Sequence, residues 1–310
     1  MKAVLIKKHG NTDELQYEDT PIPEIDANEV LIKTYATSVN PIDWKIRNGL
    51  IPNLEWKFPM ILGWDVSGVI EKTGSLVDNF KPGDEVYAFP TLSPKGTYAE
   101  YVAVKADEVA FKPQTITHAE SAAFPLAGLT AWQALFDHGK LQAGQRVLIN
   151  GAAGGVGTLA VQLAKIKGAY VIGTASQKNI AFLKELGADE VIDYTKENLA
   201  DKLKDIDLVI DCIGGDTQKS AAQVLKPNGI LVSIVGVNSE IDFTTKAIHA
   251  SSFLTKPTGK QLYEIARLID AGKLKPIVAR VMPLEEIKIA HQLSEEGHTR
   301  GKIVLEVATQ

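Results

Sequence analysis

The sequence holds one cysteine, Cys212, among its 310 residues. That excludes an intramolecular disulfide and any cysteine-built zinc cluster. Long apolar runs are also missing. None approaches the roughly 20 residues that a membrane span needs, so no membrane partner is expected. Charge of one sign is not in excess: 33 Lys and Arg stand against 38 Asp and Glu, a net of −5. A chain without a basic surplus carries no nucleic-acid footprint in its composition. The six histidines (His9, His118, His138, His249, His291 and His298) are scattered without metal-ligand spacing. The opening Met1–Lys8 is too short in apolar length for a signal peptide and reads as a first strand. A cytoplasmic protein is expected.

What is present is ordinary globular chemistry, 45% hydrophobic and 23% charged, in a length that suits two modest domains. One stretch stands out. Val147, Leu148, Ile149 and Asn150 run into Gly151, Ala152, Ala153, Gly154, Gly155, Val156 and Gly157, and an alanine-rich apolar segment follows. Strand, glycine turn and helix is the context of a dinucleotide-binding turn. Glycine allows a positive φ and a close approach of backbone to a pyrophosphate. The helix N-terminus offers free N–H groups and partial positive charge. The spacing at 151, 154 and 157 is GxxGxxG, not the commoner GxGxxG. The same glycines also make a tight strand–helix turn that binds nothing.

The end of the next strand speaks to the cofactor. An NAD-selective site places an acid there, on the ribose hydroxyls. Here Ser176 and Lys178 stand in that region instead. A hydroxyl and a cation suit a 2′-phosphate, which a carboxylate would repel. Tyr194, after another apolar run, is placed to flank the adenosine phosphate. Ser176 alone also reads as a helix cap, and Lys178 as a solvated lysine. The combination favours NADP(H).

Up to about residue 115 the texture is that of strands, with alternation at 30–35, 66–70, 85–89 and 97–104. From about 117 helical patterns alternate with β-branched runs. Strands are expected at 146–150, 170–174, 190–193, 207–211 and 230–235, and helices at 119–139, 155–167, 177–186 and 216–225. This alternation predicts an α/β domain with a doubly wound parallel sheet. A helix at 259–271 and strands near 275–281 and 301–307 complete the chain. Tyr35, Tyr87 and Tyr98 fall on strands and read as half-buried sheet residues.

Several stretches occur together in order: Asn40-Pro41-Ile42-Asp43, Gly63-Trp64-Asp65-Val66-Ser67-Gly68-Val69, Pro82-Gly83-Asp84-Glu85-Val86, Gly96-Thr97-Tyr98-Ala99-Glu100-Tyr101, Pro125-Leu126-Ala127-Gly128-Leu129-Thr130-Ala131-Trp132, the glycine turn, and His298-Thr299-Arg300-Gly301-Lys302-Ile303-Val304-Leu305. In these the chain resembles the zinc-independent quinone oxidoreductases of the medium-chain dehydrogenase/reductase superfamily, over nearly its whole length. The resemblance implies a GroES-like β-barrel domain over 1–118 and 275–310, and an inserted Rossmann NADP-binding domain over 119–274. It also implies an active site in the cleft between the domains, and a homodimer formed through edge strands of the Rossmann sheet.

Zinc-dependent relatives place a Cys where Asn40 stands and a His where Trp64 stands. Asn is a poor zinc ligand and Trp is none, so no metal is expected. Asp65 is read as a structural hydrogen-bonding residue. Without a metal, the chemistry is hydride transfer from NADPH to a quinone or an α,β-unsaturated carbonyl. For an enone, charge builds on the carbonyl oxygen and needs a donor, for which Asn40, Lys45 and Arg47 are candidates. By resemblance Asn40 lies by the nicotinamide. On local grounds it is a turn-former before Pro41. Asp43 orients this loop. Trp44 and Trp64 either wall a pocket for a flat ring or pack in the core. Thr130 starts a helical segment near the cofactor, or faces solvent in mid-helix. Gly214 and Gly236 follow strand ends where nucleotides lie, and Phe253 and Lys302 are carried over as further cofactor contacts. Cys212 is a buried apolar filler. Two other functions remain open: an enoyl-thioester reductase, and a non-catalytic protein that binds NADPH.

Overall fold

The computed structural model describes residues 1–308. In chain order the strands are β1 (Lys2–Ile6), β2 (Gln16–Asp19), β3 (Glu29–Val39), β4 (Met60–Ile61), β5 (Val66–Thr73), β6 (Glu85–Ala88), β7 (Tyr101–Lys105), β8 (Val109–Phe111), β9 (Arg146–Asn150), β10 (Tyr170–Ala175), β11 (Glu190–Asp193), β12 (Ile206–Asp211), β13 (Leu225–Ser233), β14 (His249–Ser252), β15 (Val278–Pro283) and β16 (Lys302–Glu306). The helices are α1 (Pro41–Arg47), α2 (His118–Ser121), α3 (Pro125–Trp132), α4 (Gly155–Ile166), α5 (Ile180–Glu185), α6 (Leu199–Lys202), α7 (Gly215–Gln223), α8 (Gly259–Asp270) and α9 (Ile287–Glu296).

Two compact units result. The first holds Met1–Leu126, Lys256–Gly272 and the chain from Pro276 on. Its larger sheet runs β15-β16-β3-β5-β6-β8, with β7 also on β3. β3 makes this possible. It is 11 residues long and pairs with β5, β7 and β16 in turn, with register shifts at Leu31/Ile32 and Thr34/Ala36. Such irregularities bend a strand and let it serve several neighbours. The core under it is β-branched: Val30, Ile32, Val66, Ile70, Val86, Val102 and Val104 are all buried. A second sheet, β2-β1-β4, has three strands.

The second unit holds Ala127–Thr255 and Lys273–Lys275. Its six strands run β11-β10-β9-β12-β13-β14, every pair parallel. Val147, Leu148 and Ile149 of the central β9 are fully buried. An unbroken apolar run is what a strand covered on both faces requires. This is the doubly wound sheet expected from the alternating pattern, and the α/β class holds.

The structure departs from the expected elements in several places. The helix expected over 119–139 is broken into α2, α3 and a π-helical stretch Gln133–His138. Pro125 opens α3, because its ring and missing N–H cannot continue a preceding helix. The division expected at 118/119 and 274/275 also moves. α8 belongs to the first unit: Leu262, Ile265, Ala266 and Ile269 are buried, and the Tyr87 hydroxyl donates to the Leu262 carbonyl. Finally, β14 reads His-Ala-Ser-Ser and carries no apolar signal that marks it as a strand.

Candidate active site

In the second unit the candidate residues collect at the carboxyl ends of the parallel strands. The glycine turn leaves β9 and opens α4. Gly151 has φ 73°, which its neighbours' residue types rarely adopt. A Cβ on Gly157 would come within 2.3 Å of the Gly151 carbonyl oxygen, so the helix packs against its own turn at a distance only glycine allows. Gly154 is the N-cap and provides no side-chain hydrogen bond. The N–H groups of the first turn, at Gly155, Val156 and Gly157, are those a helix start leaves without an intrahelical acceptor. Ala153 sits in the same turn, half-buried. An anion suits this place, and the cradle fits a dinucleotide pyrophosphate.

Ser176 caps a short 3-10 turn after β10, and Lys178 within that turn is exposed. Tyr194, after β11, is 58% exposed, free to lie against a planar ring. A further cation arrives that the sequence pattern placed on a solvated face. Lys196 donates from Nζ to Oε1 of Gln177 at 2.6 Å. It thereby joins the Ser176–Lys178 turn. Only the pairing of β10 with β11 brings the two segments together, with Ala175 opposite Asp193.

Gly214 and Gly236 follow β12 and β13, and a buried network fixes both loops. Asp211 accepts from the N–H groups of Ile213 and Gly214, from Gln218 Nε2 at 2.7 Å and from Ser233 Oγ at 2.9 Å. Gln218 also donates to the Gly236 carbonyl and accepts from the Asn238 N–H. Thr130 does not start a helix; it lies inside α3, buried, with its hydroxyl 2.7 Å from that of Thr255. Phe253 stacks on His138 at 4.3 Å.

In the first unit the candidates form a buried polar cluster. Asn40 is 4% exposed. Its amide nitrogen donates to Asp65 Oδ2 at 2.7 Å, and its amide oxygen accepts from the Lys302 ammonium. Lys302 also donates to the Val39 carbonyl and to Asp65. Asp65 further accepts from Ser38 and from the Leu126 N–H, which matches its expected structural role. The amide orientation of Asn40 is thus set from both ends. The Lys302 ammonium makes three bonds inside the cluster.

Asp43 caps the backbone N–H of Asn40 at 2.8 Å. It is fully buried, and burial pushes its carboxyl up to about 7. Trp44 is half-buried, with the Lys45 ammonium 5.6 Å from its ring centre. Trp64 is fully buried against Trp56 and belongs to the core. Arg47 is corrected as an oxyanion donor: it is 1% exposed and pairs with Glu295. Tyr87 and Tyr98 are fully buried rather than half-buried.

The Asn40 amide is engaged by Asp65 and Lys302, and the Trp64 indole offers no lone pair to a metal. Among the described residues no group of three His, Cys, Asp or Glu is placed to hold a metal.

Residues 26–114 match the alcohol dehydrogenase GroES-like domain, and residues 186–305 match a zinc-binding dehydrogenase domain. The solved structure of the quinone oxidoreductase from Coxiella burnetii superposes with a TM-score of 0.92 at 38% identity, covering 99% of both chains. A chloroplastic NADPH-dependent alkenal/one oxidoreductase of Arabidopsis thaliana is 37% identical over 98% of this chain and 79% of its own length. This chain belongs to the quinone oxidoreductase family of the medium-chain dehydrogenase/reductase superfamily. A mitochondrial NAD(P)H oxidoreductase of Danio rerio is 36% identical over 99% of this chain and 91% of its own. The family fold, a GroES-like domain with a Rossmann-like parallel sheet, is the pair of units described above. No helix among the described residues is long and apolar enough to cross a membrane.

Proposed function

We propose that this member of the family is an NADPH-dependent, zinc-independent reductase of quinones or α,β-unsaturated carbonyls. The observation that carries the reading is the uncapped, glycine-lined start of α4 at the end of the central strand β9. Its cofactor choice rests on the neighbouring strand ends, where Ser176, Lys178 and Lys196 gather and no carboxylate closes β10. Cations there favour a 2′-phosphate.

A bound dinucleotide would supply the hydride, and the chain supplies binding and polarisation. The first turn of α4 would hold the pyrophosphate and Tyr194 would flank the adenosine, while the Asp211–Gln218 network holds the loops at Gly214 and Gly236. In the first unit Asn40 is the substrate-side donor. One N–H of its amide is spent on Asp65, which leaves the other to meet a carbonyl oxygen as charge builds there. With no metal donor set, the acceptor must be one that a neutral hydrogen bond activates enough, which favours quinones and enones over simple ketones.

The same reading includes a homodimer and a cytoplasmic location. β14 bonds only to β13 among the described strands, so the six-stranded sheet ends on an edge that a second copy can extend. The single free thiol suits a reducing compartment.

Loss of NADPH absorbance with one quinone, one enal and one short enone tests the proposal, with NADH in parallel. Turnover with NADPH well above NADH supports it. Equal rates with both cofactors remove the phosphate argument. Tight NADPH binding without turnover on any acceptor moves the weight to a binding protein.

A further inference from the structure

The first unit contains a buried hydrogen-bond chain that the proposed reaction does not yet use. It runs from Arg47 to His291, to Tyr98, to Asp43, and so to the Asn40 backbone. We infer that Tyr98 and His291 are positioning residues for Asn40, acting through Asp43 along a chain whose direction is fixed by Arg47. The inference rests on the reading of Asn40 as the substrate-side donor.

The polarity of the chain follows from what each group is able to do. Arg47 Nη1 lies 2.8 Å from His291 Nδ1. A guanidinium only donates, so Nδ1 must be the bare acceptor nitrogen. The imidazole is neutral, since burial and the Arg47 charge pull it down to about 3. Its one proton therefore sits on Nε2, 3.3 Å from the Tyr98 oxygen. With that oxygen accepting from His291, the phenolic hydrogen goes to Asp43 Oδ2. The same carboxylate oxygen accepts the Asn40 N–H at 2.8 Å. Every donor in the series points at Asp43.

The chain is also anchored at its far end. Arg47 pairs with Glu295 of α9 and donates to the Gly10 carbonyl at 3.1 Å and to Asn48 Oδ1 at 2.9 Å. Arg47, His291, Tyr98 and Asp43 are each at most 1% exposed. Three elements distant in sequence (α1, the segment before β7, and α9) thus converge on one carboxylate. A permanent charge at the end makes this a positioning device and not a proton wire, because arginine does not release its proton.

Asp43 gives the chain a measurable signature. Its Oδ1 has no hydrogen-bond partner, and burial holds its carboxyl near 7. The groups facing it divide cleanly. The Tyr98 hydroxyl, the Asn40 N–H and the Lys302 ammonium of β16 favour the carboxylate, while Asp65 opposes it. Removing the Tyr98 hydroxyl therefore raises the Asp43 titration, and a merely structural tyrosine would not touch it.

The test compares Tyr98→Phe, His291→Leu, His291→Gln and Asn40→Ala by steady-state kinetics with NADPH and 1,4-benzoquinone across neutral pH. It adds a carbon-13 titration of aspartate carboxyls, with the Asp43 signal assigned by its loss in Asp43→Asn. Tyr98→Phe and His291→Leu are expected to lose about threefold to tenfold in kcat with little change in KM for NADPH, the scale of one ordinary neutral hydrogen bond. Tyr98→Phe also moves the Asp43 midpoint upward. His291→Gln, whose oxygen accepts from Arg47 and whose nitrogen donates to Tyr98, restores most of the rate. If Asn40→Ala loses activity while Tyr98→Phe changes neither kcat nor the Asp43 midpoint, the chain is overturned and the reading of Asn40 stands. If Asn40→Ala is fully active, the reading of Asn40 fails and takes this inference with it. An Asp43 signal that titrates identically in wild type and Tyr98→Phe overturns the chain without any turnover being needed.

Discussion

The Lys302 ammonium lies 3.2 Å from the Asp65 carboxylate, with both side chains nearly closed to solvent. A buried pair of this kind is costly to half-remove, because the remaining charge keeps its desolvation penalty without its partner. Asp65→Asn or Lys302→Met is expected to cost about 3–5 kcal/mol in urea unfolding. The double variant should cost less than the sum of the two. Additive losses would show that the two charges do not depend on each other.

Gly157→Ala places a methyl group within 2.3 Å of the Gly151 carbonyl oxygen. Overpacking of this sort costs about 1–3 kcal/mol and pushes the start of α4 away from the turn. Both Tm and NADPH affinity should fall together. A variant with normal Tm and normal NADPH binding contradicts the close-approach argument.

Lys178→Ala and Lys196→Ala separate the two nicotinamide cofactors. Each is expected to raise KM for NADPH about tenfold, the loss of one charge-assisted bond, while leaving KM for NADH as it was. Equal effects on both cofactors would place these lysines away from the 2′-phosphate.

Acid stability has a predictable slope. Burial holds His118 down to about 4 and His291 to about 3, against an ordinary 6.5. For His118 the Lys112 charge adds to the depression and Glu85 opposes it. Between pH 4 and 6.5 the unfolded chain therefore carries two more histidine protons than the folded one. Asp43 works the other way, since its carboxyl at about 7 keeps a proton when folded that it gives up when unfolded above 3.8. Two gained and one lost leave one, so stability should rise by roughly 1.4 kcal/mol per pH unit across this window. Asp43→Asn removes the opposing contribution and should steepen the slope to about twice that value. Urea midpoints between about pH 4.5 and 6 measure it, and a slope unchanged in Asp43→Asn contradicts the neutral carboxyl.

Cys212 is half-buried and not the buried filler expected, yet its loss of solvent and the neighbouring Asp211 charge push the thiol up to about 12. Alkylation by iodoacetamide at neutral pH should be slow in the native chain and fast in urea, as intact-mass measurement would show. Rapid native labelling would place the thiol in a different environment.

The sequence made the second unit legible because its signals are local. Alternating apolar runs, a glycine turn and strand-end glycines sit within a few residues of the structures they specify. The first unit's cluster was legible only in part. Asn40 and Asp43 share one short motif, but Lys302 reaches them from 262 positions away, and Tyr98 meets His291 across 193. No local pattern encodes such pairings; only the sheet order brings β16 beside β3. The same reason hid Lys196, whose role depends on β11 lying next to β10. Histidine spacing gave no hint of His291 because its partners are Arg47 and Tyr98 and not a metal.

β16 pairs with β15 on one side and β3 on the other. One unit is almost a single run of chain, and the other is gathered from three segments. During synthesis the nucleotide-binding half has all but a few of its residues before the barrel has received its closing strand. Until Lys302 leaves the ribosome, Asp65 and Asn40 have no cation to organise them. Truncation just before β16 would thus leave a protein that retains its dinucleotide cradle and lacks an assembled substrate side.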